Sequence, residues 1–105
     1  MTRDQMTILS AKAIGLKAGY SNNFGGFSVG EPYSRGEYEW NPLCSDRDAM
    51  LLAVETGQAV FTGLPHDRPT YASSGNFSKK YRGDKAAAVR WVITRCAAEI
   101  GKSTQ

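Results

Sequence analysis

Basic side chains crowd the stretch ahead of the last helical pattern. Lys79, Lys80, Arg82 and Lys85 stand together there, with Tyr81 and Phe77 interleaved. Cations mixed with aromatic rings can hold phosphates and stack bases. Arg90 and Arg95 follow within the helix and extend this surface if they face the same way. The competing reading is a solvated charged face with no ligand. Carboxylates offer less. Asp46 and Asp48 are two apart on a predicted helix, so they do not share a face, and Glu55 is distant. Acidic residues at a helix start are explained by the helix dipole. His66 is the lone histidine, and with Cys44 and Cys96 it makes no recognised metal-ligand spacing. Gly26-Phe27-Ser28-Val29-Gly30 spells G-x-S-x-G, but it reads as a short strand with no helix after it, so no serine sits in a nucleophile elbow. The glycines between Gly19 and Gly30 lack the strand–glycine–helix setting of a phosphate loop. The expectation is therefore no catalytic residue, no metal and no cofactor, hence a binding protein rather than an enzyme. Tyr20, Phe24, Phe27 and Tyr33 lie among small flexible residues. They are read either as a protein-binding loop or as cover for a sheet, and the sequence leaves both open.

These residues must be positioned by a small scaffold. A chain of 105 residues is expected to form one domain with a modest core. The net charge of +3 is too weak to mark a nucleic-acid-binding tail. Two distant cysteines make no disulfide framework. The N-terminus lacks the apolar run of a signal peptide, and no segment reaches membrane-spanning length. The chain is accordingly expected in a reducing cytoplasm, with no membrane partner.

The clearest element runs from Asp84 to Gly101. Asp84 is its predicted N-cap, and Gly101 is placed to stop it in the left-handed conformation. Val89, Ile93, Cys96, Ala97 and Ile100 recur at helical spacing, so Cys96 reads as a small core residue. A first helix is predicted over Thr2 to Gly15, opened by a Thr2/Gln5 capping box. A second starts at Ser45 and ends at Gly57, and its wide apolar surface predicts deep burial. Phe27 and Val29 indicate one short strand, and Gly36 to Trp40 another; the two are expected to pair as an antiparallel hairpin. Gln58 to Thr62 is a further strand, and Pro69 to Asn76 a weaker one. Trp40-Asn41-Pro42-Leu43 reads as a structural corner, with Pro42 biasing Asn41 away from helix. The expected class is α+β in the order αββαβ(β)α, a small and mainly antiparallel sheet packed with three helices.

Three segments resemble a known family when taken in order: ILSAKAIGL near the start, the central WNPLCSDRDAMLLAVE, and the closing DKAAAVRWVITRCAAEIGK. They resemble small phage and prophage proteins of the phage alpha-beta-alpha sandwich domain family. The resemblance covers most of the chain, but not the glycine-rich segment or the Lys79–Arg82 cluster. It implies an α+β sandwich and a phage-encoded protein acting inside a bacterial host cell. It implies no catalytic residue. The resulting expectation is an accessory protein that binds a host or phage protein, one concrete form being a protein inhibitor of a bacterial defence system. The alternative is nucleic-acid binding. The residues expected at a partner surface are Lys79, Lys80, Tyr81, Arg82, Arg90 and Arg95, with Phe24 and Phe27.

Overall fold

The computed structural model describes residues 1–30, 36–62, 70–81 and 83–104, backbone only at 70 and 71. In chain order the elements are α1 (Arg3–Ala13), β1 (Ala18–Ser21), β2 (Gly26–Val29), β3 (Tyr38–Glu39), α2 (Asp46–Glu55), β4 (Val60–Thr62), β5 (Thr70–Ser74), β6 (Phe77–Tyr81) and α3 (Lys85–Ser103). The class is α+β, as expected, with three helices among the described residues. Among the described residues the strands form two antiparallel three-stranded sheets, ordered β1-β2-β3 and β4-β5-β6. The expected hairpin is present, with Ser28 opposite Glu39 and Val29 opposite Tyr38. Two strands went unpredicted. β1 hides in the glycine-rich segment, and β6 carries Ser78, Lys79 and Lys80 between Phe77 and Tyr81, its pairing to β5, Ser74 to Phe77 through Thr70 to Tyr81, overriding the lysines' poor strand preference.

Local chemistry sets the helix ends. Thr2 caps α1 with the full reciprocal capping box to Gln5. Ser45 accepts from the Asp48 N–H, and Asp84 accepts from the Ala87 N–H. Gly15 and Gly57 follow α1 and α2 at positive φ, where the Leu16 and Gln58 N–H groups close back onto Ala11 and Ala53.

α3 is the hub. It packs on α1, on α2 and on the β4-β5-β6 sheet. Its main core joins Ala11 of α1, Val29 of β2, Trp40, and Ala49 and Leu52 of α2 to Ile93 and Ala97. Gly101 corrects the expectation of a left-handed stop. The helix continues through it to Ser103, and Gly101 is buried where α3 crosses α1. A Cβ built there would stand 1.8 Å from the Leu9 carbonyl oxygen, so glycine is required by close helix contact rather than by a turn.

The Trp40 corner is structural, as read. The Trp40 indole is 1 % exposed and donates from Nε1 to the Thr7 carbonyl at 3.0 Å. Leu43 packs with Met6 and Ala98, between α1 and α3. Cys96 is only half-buried, and Ile100 at the end of the same stripe is exposed. The expected deep burial of α2 is overturned. Asp48, Ala49 and Leu52 are buried, but Met50 and Val54 are 68 % and 69 % exposed, and Leu51 is exposed as well. One helix face suffices to cover α3, and no described element covers the other.

Candidate functional site

Two surfaces concentrate chemistry. The first is a trough formed where the N-terminus of α1, the end of β6 and the first turns of α3 meet. One lobe, of about 470 Å³, is lined by Arg3, Lys79, Lys80, Tyr81 and Trp91 among others, with Leu43 and Cys44 at its edge. A second lobe, of about 370 Å³, shares Arg3, Leu43 and Cys44 with the first and continues to Tyr20, Phe27, Asp4 and Glu39. Each position has a local cause. Arg3 occupies the first turn after the Thr2 cap. β-pairing fixes Lys79 and Lys80. The Asp84 cap starts α3 and so sets where Trp91 falls on it. The Lys79 ammonium sits 5.0 Å from the centre of the Trp91 ring, within cation–π range. Arg3, Lys79 and Lys80 have no carboxylate partner among the described residues. Arg3 Nη2 lies 3.9 Å from the Cys44 sulfur.

The residues read from sequence are divided by the fold. Lys79, Lys80 and Tyr81 reach the trough, and Arg82 lies outside the described residues. Arg90 borders it but is committed elsewhere. Its Nη1 pairs with Asp46 at 2.7 Å, its Nε donates to the Leu43 carbonyl at 3.0 Å, and its side chain is only 16 % exposed. Arg95 is on another part of α3. It lies over Phe77 at 4.3 Å and bonds Glu99 at 2.8 Å, a bond that holds the Glu99 carboxyl below its usual value. The expected basic surface is thus not continuous from 79 to 95. Phe27 enters the second lobe and meets Tyr20 edge-to-face at 6.3 Å. Phe24 is exposed at the β1–β2 turn, outside both lobes. Tyr33 and His66 lie outside the described residues. Sequence reasoning missed Arg3 and Trp91. Nothing local marks either, because both join the trough only when α1 docks on α3.

The second surface is an apolar groove of about 630 Å³ between α2 and α3. Ala49, Met50 and Ala53 form one wall, Val89 and Ile93 the other, and Val60 of β4 closes one end. The exposed side chains of Met50, Leu51 and Val54 carry this apolar character onto the outer face of α2. Arg47 follows helical spacing onto that face, at its N-terminal end, and Lys85 lies on the α3 rim. Neither has a carboxylate partner among the described residues.

Asp46 and Asp48 serve structure. Asp46 pairs with Arg90, and Asp48 accepts the Asn41 N–H at 2.9 Å. Among the described residues no three His, Cys, Asp or Glu side chains gather as a metal set. No described helix is long and apolar enough to cross a membrane. No protein-family model matches the chain, nor does any curated protein or solved structure.

Proposed function

We propose that the chain is a small phage-encoded accessory protein without catalytic machinery, and that it acts by docking a protein partner into the groove between α2 and α3. The observation that carries this reading is the apolar face of α2. Large exposed apolar side chains contiguous with a groove mark interaction surfaces. Charge narrows the occupant. Lys85 lines the groove and Arg47 lies on the adjoining outer face of α2, both without a carboxylate partner among the described residues, while the groove's own Asp46 is taken up by Arg90. The free charge therefore favours a partner segment whose apolar anchors are flanked by carboxylates. A second copy of the chain fits less well, because it would bring Arg47 and Lys85 against a surface carrying the same cations. The phage setting rests on the resemblance of the three segments, and occlusion of a bacterial defence protein is its concrete form.

The test uses the tagged chain as bait in lysate of a bacterial host treated with nuclease, beside a Val54→Asp variant. The captured protein is then purified and titrated against both, and against Arg47→Glu. The expectation is a partner whose affinity falls about 30-fold or more with Val54→Asp and falls further as carboxylates on its docking segment are removed. A partner bound equally well by Val54→Asp would overturn the docking site. So would a chain that self-associates through Val54 in sedimentation, since a second copy would then occupy the groove.

A further inference from the structure

The trough on the other side of α3 has a chemistry the apolar groove lacks, and it stands independently of the protein-docking reading. We propose that it binds single-stranded nucleic acid, with a base against Trp91 and the adjoining phosphates held by Arg3 and Lys80. Three observations converge. The cations come from separate elements, α1 and β6, yet line one concavity of about 470 Å³, a size suited to a nucleotide-sized group. Arg90 also borders that lobe but is already neutralised by Asp46, and the lobe's one carboxylate, Asp84, is engaged in capping the Ala87 N–H, whereas Arg3, Lys79 and Lys80 keep their charge unpaired among the described residues. Trp91 supplies a stacking surface, and it is met by an ammonium that a base can replace.

That replacement has a direction. Lys79 rests over the indole at 5.0 Å. A base entering the lobe takes the place over the ring, and the displaced ammonium turns to the phosphate that arrives with it. The interaction lost with the ring is returned by a charge-assisted contact. The second lobe accounts for strand rather than isolated nucleotide. It shares Arg3 with the first and offers Tyr20, 65 % exposed, for a second base. Asp4 and Glu39 there can accept from exocyclic amino groups while repelling phosphate. Phosphate therefore belongs at the junction, beside Arg3. Duplex is disfavoured because paired bases cannot leave the stack to reach Trp91 or Tyr20.

The experiment is a fluorescence titration of the intact chain with single-stranded RNA and DNA of roughly ten nucleotides, the matching duplexes, and the mononucleotide. Trp40 lines the second lobe but is 1 % exposed, so contact quenching should come from Trp91, and its loss in Trp91→Phe checks that assignment. The single strand should quench emission and bind more tightly than duplex or mononucleotide. Three phosphate contacts predict a loss of affinity of roughly 20-fold between about 50 and 200 mM salt. Arg3→Glu and Lys80→Glu should each weaken binding about tenfold and lower the salt slope by roughly 0.7. Both positions are exposed, and glutamate suits the first turn of α1, so the fold should be kept, as thermal melting will show. Lys102→Glu, about 25 Å along α3 from its start, is the charge control and should leave binding almost unchanged. Absence of single-strand binding at low salt would overturn the proposal. So would equal losses in Lys102→Glu and Arg3→Glu, or equal affinity for mononucleotide and strand.

Discussion

Replacing Gly101 by alanine sets two effects against each other. Glycine inside a helix costs about 1 kcal/mol relative to alanine, so helix propensity alone predicts stabilisation. The α1–α3 crossing predicts the opposite. The added methyl would lie 1.8 Å from the Leu9 carbonyl oxygen, 2.8 Å from the Leu9 carbonyl carbon and 3.3 Å from the Ala13 nitrogen. A carbon–oxygen contact needs about 3.3 Å, so the helices must separate by roughly 1.5 Å. The obstructing atoms are backbone and cannot rotate away. Overpacking of this kind costs about 3 kcal/mol at the upper end of its usual range, leaving a net loss near 2 kcal/mol after the propensity gain. For a domain of this size that lowers the melting midpoint by roughly 8–16 °C. The assay is thermal and urea unfolding of wild type, Gly101→Ala and Gly101→Val, with exposed Ser103→Ala as the control for changes in the same helical turn. Valine should be worse than alanine, and Ser103→Ala nearly neutral. A Gly101→Ala protein as stable as wild type, or more so, would refute the close crossing and return Gly101 to a role in helix termination.

Other outcomes follow from single contacts. Trp40→Phe removes both ring volume and the bond to the Thr7 carbonyl, and should cost about 2 kcal/mol in urea unfolding. Asp84→Ala deletes the cap on the Ala87 N–H at the start of α3 and should cost about 1 kcal/mol, read as a lower melting midpoint. Glu99 has its carboxyl held below the usual 4.5 chiefly by the hydrogen bond from Arg95, with Lys102 adding a smaller attraction. Its stabilising effect is therefore present above 4.5 and is lost as pH falls through the lower native value. Glu99→Gln should melt below wild type at neutral pH, and the difference should close as the pH is taken below 4.5.

The sequence by itself determined whatever depends on near neighbours. Thr2, Ser45 and Asp84 cap their helices because a side-chain oxygen reaches an N–H three residues on, whatever the surroundings. Gly15 and Gly57 stop helices by their freedom at positive φ, and the Trp40 corner follows from Pro42 beside a large apolar ring. Helix count and α+β class were legible for the same reason. Tertiary structure decided the rest. Gly101 carries one residue type for two opposite uses, stop or close contact, and only the path of α1 selects between them. Met50 and Val54 read as core because composition reports how apolar a face is, not whether anything covers it. Lys79 and Lys80 became strand because a partner strand supplied the hydrogen bonds. The candidate trough was half visible. Its β6 cations stood out in the sequence, but Arg3 lies far from them along the chain. Arg90 looked equivalent to them until the fold set Asp46 against it. Proximity between distant segments is set by which apolar faces bury each other, and the spacing of residues along the chain does not carry that information.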